Sequence, residues 1–139
     1  MVQNTRTGDS VMKTIMLLGS RSRTDIGRCS TDSIGEESLS TQFIVGDCYG
    51  ADALWQQALS HCGRKHHVYH IGYQPRTITN YGSPVRAPGY KQTDKDNAMF
   101  EAVLDDVDSE VWVAWDGKSA GTKRIIDKAT AECKTIRYF

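Results

Sequence analysis

Glu110-Val111-Trp112-Val113-Ala114-Trp115-Asp116-Gly117-Lys118-Ser119-Ala120-Gly121-Thr122 runs from an apolar segment into a turn of glycine, hydroxyl and charge. Ile125, Ile126 and Ala129 then share one face of the stretch from Ser119 to Cys133. A short apolar run closed by turn residues reads as a buried strand, and the spacing beyond it reads as a helix. The same unit recurs upstream. Lys13–Gly19 (KTIMLLG) and Gln42–Val45 (QFIV) are strands that each end on a glycine, Gly19 and Gly46. Ala51–Cys62 is a helix with apolar residues at 51, 54, 55, 58, 59 and 62, stopped by Gly63. His66–Ile71 alternates as a strand. Thr93–Val107 is a helix with Thr93 or Asp94 as its N-cap, and Thr135–Phe139 is a final strand. Strands alternating with helices predict an α/β fold: a Rossmann-like, doubly wound parallel sheet of about five strands with helices on both faces. Its crossovers are expected to be right-handed.

The remaining segments are less regular. Residues 1–12 read as a flexible tail and 13–139 as a single domain, within the size that one core can hold together. Ser20–Thr41 is rich in Ser, Thr, Gly and charge and reads as a loop with at most a weak helix. Residues 73–92 hold all three prolines and three tyrosines without usable periodicity. A loop of that length inside a compact domain is usually functional.

Composition excludes several classes. Lys plus Arg and Asp plus Glu both total 17, so the net charge is zero, which argues against bulk nucleic-acid binding. The run Ile15-Met16-Leu17-Leu18 is too short to span a bilayer, and the polar residues before it do not read as a cleavable leader. A cytoplasmic location without membrane attachment is therefore expected. Cys29, Cys48, Cys62 and Cys133 show no C-x-x-C spacing and read as free thiols.

In doubly wound sheets ligands sit beyond the carboxyl ends of the strands, where strand order reverses. Three turns fall there: Gly19-Ser20-Arg21; Gly46-Asp47-Cys48-Tyr49-Gly50-Ala51-Asp52; and Asp116-Gly117-Lys118-Ser119-Ala120-Gly121-Thr122. The second and third run straight into helices, whose free N–H groups favour an anion, and Arg21 and Lys118 add positive charge. One glycine turn means little, but three at one edge predict a ligand site.

These turns also carry a resemblance. Gly19-Ser20-Arg21 looks like the G-S-R turn of the YspA-like branch of the SLOG superfamily, which includes the LOG and DprA-type domains. Gly46–Asp52 is similar to that branch's G-G-x-x-G-A-D turn. Trp115-Asp116-Gly117-Lys118-Ser119 with Gly121-Thr122 resembles its W-D-G-x-S-x-G-T turn, and Asn97 with Met99 is loosely similar to the N-x-x-M helix start, one residue shorter in spacing. The resemblance covers residues 14–139 and implies a Rossmann-like domain that binds nucleotide-like or ADP-ribose-like ligands. Related domains are coupled to nucleotide signalling in microbial conflict, and small members pair, so a homodimer or higher homo-oligomer is implied. The departures are Asp47 in place of a glycine, Tyr49 in place of an arginine and Asp96 in place of an arginine. Each removes positive charge or adds negative charge near the expected phosphate. Lys123, Arg124 and Ile125 follow Thr122, where LOG enzymes carry glutamate, which weighs against LOG-like chemistry.

Other clusters compete for attention. His61, Cys62, His66, His67 and His70 match no standard zinc spacing, so no metal is expected. Trp55 and Trp112 read as core, while Trp115 is divided between packing and flanking a base. Tyr73, Tyr81 and Tyr90 with Arg76, Arg86 and Lys91 fit a lid of aromatics and cations. Asp105, Asp106 and Asp108 read as a solvated helix end.

The expected ligand-binding set is Gly19, Ser20, Arg21, Gly46, Asp47, Gly50, Ala51, Asp52, Asn97, Trp115, Asp116, Gly117, Lys118, Ser119, Gly121 and Thr122. No separate cofactor is expected. The leading reading is a binder that holds a nucleotide or NAD-derived molecule without turnover, as a sensor or sponge, in the narrowest form for a phage-defence signal. The alternative is a nucleotide N-glycosidic hydrolase using Asp52 or Asp116. A scaffold with a decayed site is the third.

Overall fold

The structure is a computed structural model in which residues 13–139 are described; the tail expected over 1–12 lies outside them. The elements in chain order are β1 (Thr14–Gly19), α1 (Ser30–Glu36), β2 (Gln42–Gly46), α2 (Ala51–His61) and β3 (His66–His70). There follow β4 (Gly82–Arg86), α3 (Gln92–Asp105), β5 (Glu110–Ala114), α4 (Ala120–Ala131) and β6 (Thr135–Tyr138). The strands form one sheet in the order β4-β3-β2-β1-β5-β6, and every neighbouring pair is parallel. The fold is thus the Rossmann-like, doubly wound α/β class expected from the sequence.

Two apolar layers explain why both faces are covered. Alternate residues of a strand point to opposite faces. Ile15 and Leu17 of β1, Phe43 and Val45 of β2 and Trp112 of β5 pack against Ile34 of α1 and Trp55 and Leu59 of α2. Met16, Leu18, Ile44, Val111 and Val113 pack against Met99, Phe100 and Val103 of α3 and Ile125, Ile126 and Ala129 of α4. Each central strand therefore reads as a continuous apolar run, as strands buried on both faces do. Trp55 and Trp112 are wholly buried, as expected. The Trp55 indole donates to Leu18 O at 3.1 Å, which satisfies its one polar atom.

The sixth strand corrects the reading of 73–92 as one structureless loop. β4 pairs with β3 in register from His66↔Gly82 to His70↔Arg86. The segment before it returns along α2 in place of a crossover helix. Gln56 Nε2 donates to Thr77 O at 3.1 Å, and the Ser60 and Thr79 hydroxyls meet at 2.6 Å. The backbone bonds His66 N to Tyr81 O and Ala87 N to His70 O direct residues 81, 83, 85 and 87 toward β3. Pro84 then falls at an outward position, where its missing N–H costs no ladder bond and blunts the open edge.

Local termini differ in detail from expectation. α3 begins at Gln92 with Lys91 as N-cap, and Asp94 occupies the third helical position. Its carboxylate accepts from Lys91 N at 3.0 Å and Tyr90 N at 3.1 Å, so it closes the cap from inside the helix. α1 is the short helix allowed for in 20–41.

The chain leaves β4 on one side of β1 and enters β5 on the other, so strand order reverses between β1 and β5. The turns after these strands must splay apart there, and a crevice opens between them.

Candidate functional site

The turns after β1, β2 and β5 meet around a cleft of about 400 Å³ at this switch point. Gly19, Ser20, Arg21, Gly46, Asp52, Asp116, Ser119, Gly121 and Thr122 of the expected set line it. α3 supplies Gln92, Lys95, Asp96 and Met99, and Cys48 and Ser22 complete the polar wall.

The rim is built by stitching two turns together. Asp116 N donates to the Ser20 hydroxyl at 3.0 Å, and the Ser20 and Ser119 hydroxyls meet at 2.7 Å. The Asp116 carboxylate accepts from Lys118 N at 2.8 Å, Ser119 N at 2.9 Å and the Ser22 hydroxyl at 2.5 Å. The Ser22 hydroxyl and the Ser119 and Lys118 N–H groups hold its carboxyl well below the usual carboxylate range. Its acceptor capacity organises the turn, which makes it a poor base. α4 starts immediately behind, and its first-turn N–H groups have no partner within the helix. Beyond Gly121 there is open space: a Cβ there would meet nothing within 4 Å.

The floor is a buried charge cluster. Lys95, 1% exposed, donates from Nζ to Asp47 Oδ1 at 3.0 Å and lies 3.4 Å from Cys48 Sγ. Arg76 grips the same Asp47 from its backbone N at 2.9 Å, from Nε at 3.2 Å and from Nη2 at 3.0 Å. Burial pushes Asp47 up, but the Arg76 bonds and the Lys95 charge outweigh it and hold the carboxyl down at about 2. Burial likewise works against the Lys95 ammonium, yet Asp52, Cys48 and Asp47 keep it above its ordinary value. Asp52 is different. Its Oδ2 accepts one bond, from Cys48 N at 3.1 Å, and burial raises the carboxyl to about 6 despite Lys95. This side chain faces the cleft and can both donate and accept near neutral pH.

Two glycines make the floor possible. A Cβ on Gly46 would stand 2.5 Å from Asp52 Oδ2 and 2.9 Å from Lys95 Nζ, so the strand must end bare for the ion cluster to fit. Gly50 has φ +79 and packs onto the backbone of Arg21, which brings the β2 turn against the β1 turn.

Several expected residues lie elsewhere. Asp47 is a buried counter-ion, and Gly50 and Ala51 are packing positions. Asn97 accepts from Arg124 at 3.3 Å and Lys128 at 2.9 Å on the outer side of α3 and α4. Trp115 packs against the α3–α4 layer and donates to Ser119 O at 3.1 Å, so its indole is tied to its own turn. Gly117 and Lys118 are exposed beyond the rim.

The charges of the two acidic departures, Asp47 and Asp96, are also accounted for. Asp47 is neutralised by Arg76 and Lys95, and Asp96 pairs with Arg124 at 3.0 Å and accepts from Gln92 at 3.3 Å. Burial still raises the Asp96 carboxyl. Arg76, from the segment expected to form a lid, is spent on Asp47, while Tyr73 and Tyr90 stand almost fully exposed. Among the described residues no three His, Cys, Asp or Glu side chains converge to hold a metal ion. His66 Nε2 and His70 Nδ1 are buried without hydrogen-bond partners.

Lys95 and Cys48 are what sequence reading missed. Lys95 looks like a solvated helix lysine, and only the turn geometry brings Asp47 and Asp52 over it. No helix among the described residues is long and apolar enough to cross a membrane. Comparison with family models and with curated proteins finds no match to this chain.

Proposed function

We propose that the cleft binds a nucleotide or NAD-derived small molecule and holds it without turnover, as a sensor or sequestering protein. One observation carries this reading: a switch-point cleft with the open first turn of α4 on one side and Arg21 on the other, over a floor that presents the buried Asp52, its carboxyl raised to about 6. The helix N-terminus and Arg21 suit a phosphate. Asp52 suits a hydroxyl or N–H group of the sugar. The volume matches part of a nucleotide, with the remainder reaching past the rim. The resemblance of the three turns to SLOG domains supports the ligand class, a cytoplasmic setting, pairing into a homo-oligomer and a role in phage-defence signalling. Neutralisation of Asp47 and Asp96 by their own cations speaks against a decayed site.

A hydrolase is the second reading, favoured by one observation: a carboxyl near 6 in the cleft is suited to proton transfer at neutral pH. It assigns that step to Asp52, since Asp116 is saturated with donors.

The test is to incubate the protein with a mixed panel of nucleotides and linear and cyclic NAD derivatives. Unbound material is separated, the protein is denatured, and the molecules in both the unbound and the released fractions are identified by mass spectrometry. An intact molecule retained by the wild type and lost in Gly121→Glu supports binding. A cleaved base, absent with Asp52→Asn, makes the protein a hydrolase. Retention of nothing from the panel overturns the binding reading, and a panel recovered wholly uncleaved overturns the hydrolase reading.

A further inference from the structure

Cys48 has no role in the ligand reading, and its surroundings are unlike those of the other cysteines. Its sulfur lies 3.4 Å from Lys95 Nζ and 3.2 Å from Arg76 Nη2, and its side chain lines the cleft. Cys29 and Cys133 are exposed, and the Cys62 thiol points to Thr31 O at 3.6 Å. Cys48 is itself buried, and burial holds its thiol above the ordinary value, but it alone lies on the cleft with an amine already in contact.

We propose that Cys48 and Lys95 are an oxidative modification site: peroxide entering the cleft joins them through a reducible sulfur–nitrogen bond. In the first step the Cys48 sulfur attacks one peroxide oxygen and the O–O bond breaks. The thiol proton and the departing hydroxide leave together as water, and Cys48 becomes a sulfenic acid. Arg76 and Lys95 stand ready to hydrogen-bond the new oxygen. In the second step the Lys95 ammonium loses a proton to water in the cleft, and the free amine attacks sulfur. The S–N bond forms, the S–O bond breaks, and a second water leaves with a proton from the amine. The pair is oxidised by two electrons, the peroxide is reduced to water, and the cross-link weighs two hydrogens less than the free side chains. Sulfenic acids condense with neighbouring nitrogen in this way, and a thiol reverses it by attacking the sulfur and releasing the amine.

Two structural features favour this outcome over further oxidation. The reacting atoms sit close to attack distance before any movement, so the second step is effectively intramolecular. Loss of the Lys95 charge leaves Asp47 still held by Arg76 through three bonds, so that buried carboxylate keeps its partner. The link forms in ligand-free protein, so failure of either proposal leaves the other standing.

The experiment treats the full chain with hydrogen peroxide, blocks remaining thiols with iodoacetamide and maps tryptic peptides by mass spectrometry. The expected result is the peptide 29–64 joined to the Lys95 peptide, two hydrogens lighter than their sum, with fragmentation placing the link at Cys48 and no cleavage after Lys95. Dithiothreitol should restore both peptides. In Lys95→Arg the link should vanish and Cys48 should be captured by dimedone as sulfenic acid; Cys48→Ser should give neither product. Wild-type protein in which Lys95 stays a free, cleavable amine, at peroxide doses that oxidise Cys29 and Cys133 completely, overturns the proposal. The deciding measurement is made on the wild type, so a variant that fails to fold does not obscure it.

Discussion

Asp52→Asn should make this protein more stable at neutral pH, although it removes a buried hydrogen-bonding acid from the candidate site. Burial raises the Asp52 carboxyl from 3.8 to about 6, and the residue is only 8% exposed. Because the folded value lies above the unfolded one, the folded state binds the proton more tightly between these limits. Stability is then fully present below about pH 4, falls as pH rises through the window and is lost above about 6. A shift of roughly two units at about 1.4 kcal/mol each makes the cost of the ionised form about 3 kcal/mol. Asparagine has nearly the shape of the protonated acid, can accept from Cys48 N and carries no charge at any pH. Urea denaturation of both proteins from pH 4 to pH 8 should give equal stabilities at the acid end. The variant's advantage should then grow to about 3 kcal/mol above pH 7, at an unchanged slope. A gap that does not vary with pH, or a variant less stable than wild type at pH 7, would refute the argument that Asp52 is a desolvated acid.

The neighbouring carboxylate should behave in the opposite sense. Asp47 is held at about 2, so its contribution is present above about pH 4 and is lost as pH falls toward 2. Asp47→Ala, which strands the buried Lys95, should cost about 3–5 kcal/mol in urea denaturation at pH 7. Gly50→Ala should destabilise by more than the roughly 1–3 kcal/mol of its backbone strain, because its Cβ meets the Arg21 backbone. Gly117→Ala has a similar φ of +81 but open space, so thermal unfolding should show only the backbone cost there. Gly121→Glu should leave the melting temperature within a few degrees of wild type, because its side chain enters open cleft. The same variant should abolish retention of an anionic ligand in the mass-spectrometric assay.

Sequence alone determined the class of fold. The apolar runs at 14–19, 42–46 and 110–114, each closed by glycine or turn residues and followed by helical spacing, leave a parallel sheet with two covered faces as the arrangement that buries them. It also placed the three turns at one edge, since the carboxyl end of every parallel strand points the same way. β4 was hidden because its signal is missing: Gly82-Ser83-Pro84-Val85-Arg86 is an edge strand with one face nearly exposed, and Pro84 reads as a breaker until the outward register is known. Tertiary structure alone decided the chemistry of the site. Asp47, Cys48, Asp52, Arg76 and Lys95 come from the β2 turn, the crossover segment and α3, which are separated by up to 48 residues. Periodicity can assign each to a helix or a turn, but charge burial and pairing depend on distances between elements. Those distances set Asp47 as a fixed counter-ion and Asp52, five residues away, as an acid free to exchange its proton.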